Sequence, residues 1–190
     1  MKKSIGASTI VFPTPVFIVG SYDNKGVADV MTAAWGGIAC SIPPCVSVSI
    51  RPERQTHANI MAKKAFTVSI PSSDYLKEAD YFGIVSGKNE DKFKVSGLTP
   101  VKSDIVDAPY VKEFPFVLEC SLFKTLELGA HTVFVGEIKD VKVEESCLNN
   151  EGKPDIVKLK PMIFDPATWG YYGFGKFLDK AFTAGKTVKK

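Results

Sequence analysis

The sequence predicts a mainly β chain, folded as one small barrel with a few short helices, and three observations carry that expectation. Residues 115–124 and 131–143 are long runs that alternate apolar and polar side chains at the two-residue period of a strand. Turn residues separate further short β-rich runs, without the regular strand and helix alternation of a parallel α/β sheet. The bulk composition agrees: 190 residues, 45% apolar and 24% charged, build one core without disulfide or metal staples.

Taken in order, residues 16–22 are β-rich and are followed by Asp23-Asn24-Lys25-Gly26, which tolerate a left-handed turn. Extended character resumes over 27–34, so the two runs form a hairpin. After Gly36-Gly37 and the break at Pro43-Pro44, residues 45–50 alternate as a further strand. Thr56 then reads as the N-cap of a short helix over 56–64, with Ile60 facing inward and Lys63 and Lys64 where the helix dipole favours cations. Another strand follows at 65–71. Residues 74–82 carry apolar groups at helical spacing, and 86–93 read as an exposed loop with at most one helical turn before Gly97. The two long alternating runs are expected to pair antiparallel. The stretch from Trp169 to Phe177 is too rich in aromatics for a free tail. Residues 145–190 are therefore expected to pack on the barrel as an extension of a single domain over 1–190.

The net charge of +3 comes from scattered lysines, and the final run of Lys186, Lys189 and Lys190 reads as a solvated tail. No aromatic stripe is interleaved with a basic groove, which argues against nucleic acid as a partner. The basic start at Met1-Lys2-Lys3 continues into a stretch too short and polar for a signal peptide. No window approaches the roughly 18 apolar residues of a spanning helix, so a cytoplasmic protein without a membrane partner is expected. Cys40, Cys45, Cys120 and Cys147 show neither a Cys-x-x-Cys spacing nor an accompanying histidine cluster, and are expected to be reduced structural thiols without a metal. His57 and His131 are expected to satisfy local hydrogen bonds, and no catalytic side chain is assigned.

Two segments have the chemistry of a ligand site. Ser49-Ile50-Arg51-Pro52-Glu53-Arg54-Gln55-Thr56 sets guanidinium groups and hydroxyls beside a helix start, the pattern of an anion site or of a solvated corner. Between Met31 and Pro44, small residues allow close approach of main chain to a flat ligand and Trp35 offers a stacking face; the bland reading is a bulged barrel strand with a core tryptophan.

Considered together, Val30-Met31-Thr32-Ala33-Ala34-Trp35, Ser41-Ile42-Pro43-Pro44, the strand 46–50 and the run from Arg51 to Thr56 resemble the FMN-binding half of the flavoredoxin and flavin reductase-like family. The likeness continues through Asp91-Lys92-Phe93 and His131-Thr132-Val133-Phe134-Val135-Gly136-Glu137. The resemblance implies an FMN-binding split β-barrel, assembled as a homodimer with one non-covalent FMN per subunit. It implies that Thr32, Ala33, Ala34, Trp35, Ser49, Ile50 and Arg51 line the flavin and its ribityl chain, and that Arg51 with Thr56 holds the phosphate. Lys92 and Phe93 would close the site, with Lys92 as the positive group at the pyrimidine end of the flavin. The implied activity is electron transfer, either as a flavoredoxin-like carrier or as an NAD(P)H:flavin reductase, with NAD(P)H or a reduced carrier protein as donor. No Gly-x-Gly-x-x-Gly fingerprint follows a strand, so a dedicated dinucleotide domain is not expected. The alternative is a non-enzymatic module for flavin, haem or another flat ligand, with His57 or His131 as the axial candidates for haem.

Overall fold

In the computed structural model, residues 1–188 are described, so Lys189 and Lys190 of the expected tail lie outside the described residues. After the short β1 (Thr14–Pro15), strands β2 (Phe17–Tyr22) and β3 (Ala28–Ala33) form the expected hairpin. Asp23 closes its turn: the Oδ1 atom accepts from the N–H groups of Lys25 and Val27, each at 2.8 Å, and Gly26 takes the left-handed φ of +80°. A second hairpin follows, β4 (Gly36–Ser41) with β5 (Pro44–Ile50), and leads into α1 (Gln55–Lys63) and β6 (Ala65–Ile70). The middle of the chain holds α2 (Leu76–Ile84), α3 (Lys92–Ser96), β7 (Pro100–Lys102) and β8 (Pro109–Val111). The two long runs become β9 (Phe116–Leu128) and β10 (His131–Val143), paired antiparallel over almost their full length. The last elements are α4 (Ile156–Leu159), β11 (Met162–Asp165) and β12 (Gly170–Gly173).

Seven strands make one antiparallel sheet in the order β3-β2-β6-β9-β10-β5-β4. Its two outermost strands, β3 and β4, are consecutive in the chain and joined by Ala34 and Trp35 alone. The sheet therefore curls until its ends meet at that corner, where the Ser49 N–H donates to the Trp35 carbonyl at 2.8 Å. The result is a barrel open along one seam, the split β-barrel expected. Gly36 is needed at the corner, because a Cβ there would lie 2.6 Å from the Ser47 carbonyl oxygen and 3.0 Å from the Phe17 ring.

The strand period puts alternate residues of β2 and β3 into two cores. Val19 and Met31 face the barrel interior with Val48, Ile50, Ile60, Phe66 and Phe134. Ile18 and Val30 face outward, against Phe82 of α2, Phe93 of α3 and Val111 and Phe114. Each large side chain so buried contributes about 1.5–3 kcal/mol, and a strand buried on both faces is difficult to displace.

The structure refines three local expectations. β4 runs through the glycine pair as a strand that the element-by-element reading passed over, and the register shift between Ile38 and Cys40 is the bulge that the bland reading of this segment allowed. Helix α1 starts at Gln55 after an extended Arg54, and Thr56 is a buried first-turn residue instead of the cap. Its hydroxyl donates to the buried Asp29 Oδ2 at 3.3 Å. The expected loop ends in the five-residue α3, capped by Asp91 and stopped by Gly97 at φ +72°. β11 and β12 join β1 in a three-stranded sheet, whereas Phe177, Leu178 and Phe182 beyond it are exposed. Among the described residues no helix is long and apolar enough to cross a membrane.

Candidate functional site

A cavity of about 710 Å³ lies along the seam of the barrel. Its floor is Thr32 and Ala33 of β3, the corner residues Ala34 and Trp35, and Ser49, Ile50 and Arg51 at the end of β5. These seven site candidates come together because the corner brings the ends of β3 and β5 side by side. Among the described residues β3 has a strand partner on one side only, β2. Main-chain N–H and C=O groups on its other edge are available to a ligand. The Thr32 hydroxyl already donates to the Ala79 carbonyl, which ties β3 to α2 and leaves the oxygen as an acceptor.

One end of the cavity is cationic. Arg54 donates from Nη2 to the Gly83 carbonyl at 3.1 Å, fixing its guanidinium between α1 and α2. Arg51 is looser, 56% exposed and 3.6 Å from the Glu53 carboxylate. The carboxyl of Glu53 is held below the ordinary glutamate range, chiefly by its own main-chain N–H, and Arg51 adds to that.

Thr56, Lys92 and Phe93 do not join the cavity wall. Lys92 is buried behind β3, 3.3 Å from Asp29 Oδ1, and donates to the Val30 carbonyl and, at 3.4 Å, to that of Phe82. An ammonium deprived of water needs such partners. Burial lowers the pKa of Lys92, and Asp29 opposes that shift. Lys92 ties β3, α2 and α3 to one another through Asp29 and the carbonyls of Val30 and Phe82. Phe93 packs beside Phe82 in the outer core, with ring centroids 6.4 Å apart. Gly87 fits against the same network, since a Cβ there would come within 2.3 Å of Asp29 Oδ1.

The opposite wall is aromatic and comes from the C-terminal sheet. Phe164 of β11 is its hub, with ring centroids 6.5 Å from Trp35, 5.6 Å from Tyr171 and 6.1 Å from Trp169. The Tyr171 hydroxyl donates to Asp80 Oδ1 of α2 at 2.8 Å and locks this wall to the helix. Burial first, and Asp80 second, raise the pKa of Tyr171 well above the ordinary phenol range. The β11–β12 turn is built on Asp165, which accepts from the N–H of Ala167 at 2.7 Å and the hydroxyl of Thr168 at 2.6 Å. It ends on Trp169 with φ +60°, a left-handed conformation that costs a non-glycine residue about 1–2 kcal/mol.

The clustering of Trp169 and Tyr171 was visible in the sequence, but nothing there marked Asp80 or Arg54's anchor at Gly83. His131 lines the cavity. His57 shares a 2.9 Å hydrogen bond with the Thr132 hydroxyl and meets Phe134 edge-on at 5.0 Å, the local role expected for it; burial holds its pKa below the ordinary value. The four cysteines are unpaired thiols, exposed at Cys40 and buried at the other three, and burial pushes Cys120 up to about 12.

Residues 8–167 match the model of the flavin reductase like domain family. The fold superposes on the flavoredoxin of Desulfovibrio vulgaris (Miyazaki F) with a TM-score of 0.94 and 54% identity, over 97% of this chain and 100% of that one. Flavoredoxin from Methanosarcina acetivorans gives 0.92 and 31%, over 99% of both chains. Nitrilotriacetate monooxygenase component B from Bacillus cereus gives 0.82 and 26%, over 90% of this chain and 88% of that one.

Proposed function

Because the chain belongs to the flavin reductase-like family, we propose that it is a redox protein carrying electrons on one non-covalent FMN held in the seam cavity. The observation that carries this reading is the meeting, in one cavity, of the outer edge of β3, an aromatic wall and a cationic end. These suit the three parts of FMN: a flat ring with a polar rim, a flexible chain and a single phosphate. When bound, FMN supplies the electron chemistry, and the protein supplies position, electrostatics and shielding.

Arg51 is the phosphate ligand in this account, since its guanidinium is exposed at the cavity end and can grip two phosphate oxygens at once. Arg54, fixed on Gly83, adds positive potential without moving. Thr32 to Trp35 carry the ring along the β3 edge, with Ser49 and Ile50 of the neighbouring strand beside it. The Ser49 N–H to the Trp35 carbonyl keeps that edge in place. Phe164 and Tyr171 exclude water from the far side.

The reading extends to a homodimer and to a cytoplasmic location. Ile38 and Ile42, 90% and 91% exposed, stand on the outer strand β4 and the turn after it, an apolar edge that a second copy of the chain would cover. Unpaired cysteines fit a reducing compartment. The donor is NAD(P)H or a reduced carrier protein. Anaerobic mixing of the FMN-loaded protein with NADH, with NADPH and with a reduced carrier tests the assignment through the visible flavin band. Bleaching by one of them is expected, and a loaded protein that none of them reduces would overturn electron transfer as the function.

A further inference from the structure

Cys40 and Cys45 stand opposite each other at the tip of the β4–β5 hairpin, with Ser41 paired to Pro44 and Ile42-Pro43 as the turn between them. Residues so opposed point to the same face of the sheet with Cα atoms about 4.5–5.5 Å apart, within the roughly 4.4–6.8 Å that a disulfide spans. The two thiols differ in their surroundings. Cys40 is exposed, and its Sγ donates to the Ile42 carbonyl at 3.2 Å, a weak bond that a rotation of the side chain releases. Cys45 is 2% exposed, and burial holds its thiol above the ordinary range, with Cys40 and Glu137 adding to that. Of the other thiols, Cys120 sits in the barrel core and Cys147 packs against the Lys158 carbonyl at 3.7 Å. Register also decides which way Cys40 faces. Ile38 opposes Val46 and Cys40 opposes Cys45, two neighbours on β5, so the bulge turns Cys40 onto the face opposite Ile38. A second copy of the chain seated on the Ile38 face leaves the Cys40 thiol open.

We propose that Cys40 and Cys45 are a redox-sensitive thiol pair, closed by hydrogen peroxide to an intrachain disulfide across the hairpin and reopened by a dithiol. The exposed Cys40 meets the oxidant first. Its thiolate sulfur attacks one peroxide oxygen, the O–O bond breaks, and hydroxide leaves and takes up a proton to become water. The Cys45 sulfur then attacks the sulfur of the Cys40 sulfenic acid. The S–S bond forms, the S–O bond breaks, and the departing oxygen leaves as a second water with the proton of Cys45. Two thiols lose two electrons, and one peroxide becomes two waters. The loop so closed holds Ser41, Ile42, Pro43 and Pro44 alone, so the bond gains little from constraining the unfolded chain and stays easy to reduce. Such a bond suits a transient mark in a reducing compartment better than a structural staple. The inference is independent of the FMN reading, since neither thiol lines the seam cavity.

The test treats the full-length protein with hydrogen peroxide under native conditions, unfolds it with iodoacetamide present to block remaining thiols, and maps it by trypsin and mass spectrometry. Cys40 and Cys45 share the tryptic peptide 26–54, which contains no other cysteine. The expected result is that this peptide appears unalkylated and two hydrogen masses lighter, from chains that run as monomers on a non-reducing gel. Dithiothreitol added before blocking should restore two alkylated thiols. Cys45→Ser removes the second thiol and should stop at the Cys40 sulfenic acid, read as a dimedone adduct on the same peptide. Cys40→Ser alters an exposed side chain and should leave Cys45 reduced and alkylated under the same treatment, which keeps the test open if Cys45→Ser does not fold. Four outcomes would each overturn the inference: a treated wild-type peptide with both thiols alkylated, oxygen added to Cys40 without a bond to Cys45, a cross-link from Cys45 to Cys120, or a disulfide between chains.

Discussion

The two walls of the seam cavity are built in different ways. The floor, from Thr32 to Trp35 and from Ser49 to Arg51, is barrel backbone, and it is fastened from behind by the buried set of Asp29, Lys92 and Thr56. The aromatic wall hangs on a three-stranded sheet outside the barrel and is held to α2 by the Tyr171 hydroxyl on Asp80. A wall built from paired strands over a filled core cannot move without unfolding part of the barrel. The aromatic wall has a smaller sheet behind it, and Met162, Phe164 and Tyr171 join it to the outer core beside Ile18 and Phe82.

Lys92→Met strikes the floor's fastening and is expected to have the largest effect. It leaves Asp29 buried and unpaired, so stability should fall by about 3–5 kcal/mol in urea denaturation, with loss of FMN retention. A fall under about 1 kcal/mol would show that the floor does not depend on that pair. Next comes Arg51→Ala, which should weaken FMN by about 1.5–3 kcal/mol in equilibrium titration and leave riboflavin affinity unchanged. Equal losses for both flavins would mean that Arg51 does not read the phosphate.

Tyr171→Phe tests the other wall. Removing one part-buried hydrogen bond should cost about 1 kcal/mol of stability and barely alter FMN retention. Effects as large as those of Lys92→Met would erase the contrast between the walls. The smallest effect concerns pH. Burial holds the pKa of His57 below its ordinary value of 6.5, so the unfolded chain binds a proton there before the folded one does. The stability associated with a neutral His57 is therefore complete above about pH 6.5 and lost as pH falls toward the folded pKa. His57→Gln should flatten the melting temperature between pH 7 and 5, and an unaltered slope would assign it to other groups.

The floor was legible in the sequence because each of its parts is continuous. A hairpin signal at Asp23-Asn24-Lys25-Gly26 sets β2 against β3, and small residues followed by Trp35 mark the corner. Strand β4 was hard to see because its glycines carry no alternating pattern, whereas Gly36 is there to let Ser47 and Phe17 approach. Lys92 and Thr56 have surroundings that the sequence does not show. A lysine and a threonine beside a site have the right chemistry for a ligand, and only burial against Asp29 shows that they answer each other. The aromatic wall was half legible. Trp169 and Tyr171 stood out as too apolar for a tail, yet the pairing of Tyr171 with Asp80, 91 residues apart, leaves no local trace.

The central claim, that the seam cavity holds FMN, is tested most directly by the visible spectrum of the purified protein, with any heat-released chromophore identified by chromatography. The account predicts a yellow protein that releases FMN, or a colourless one that turns yellow and retains stoichiometric FMN when it is added. A colourless protein that fails to take up added FMN would contradict it.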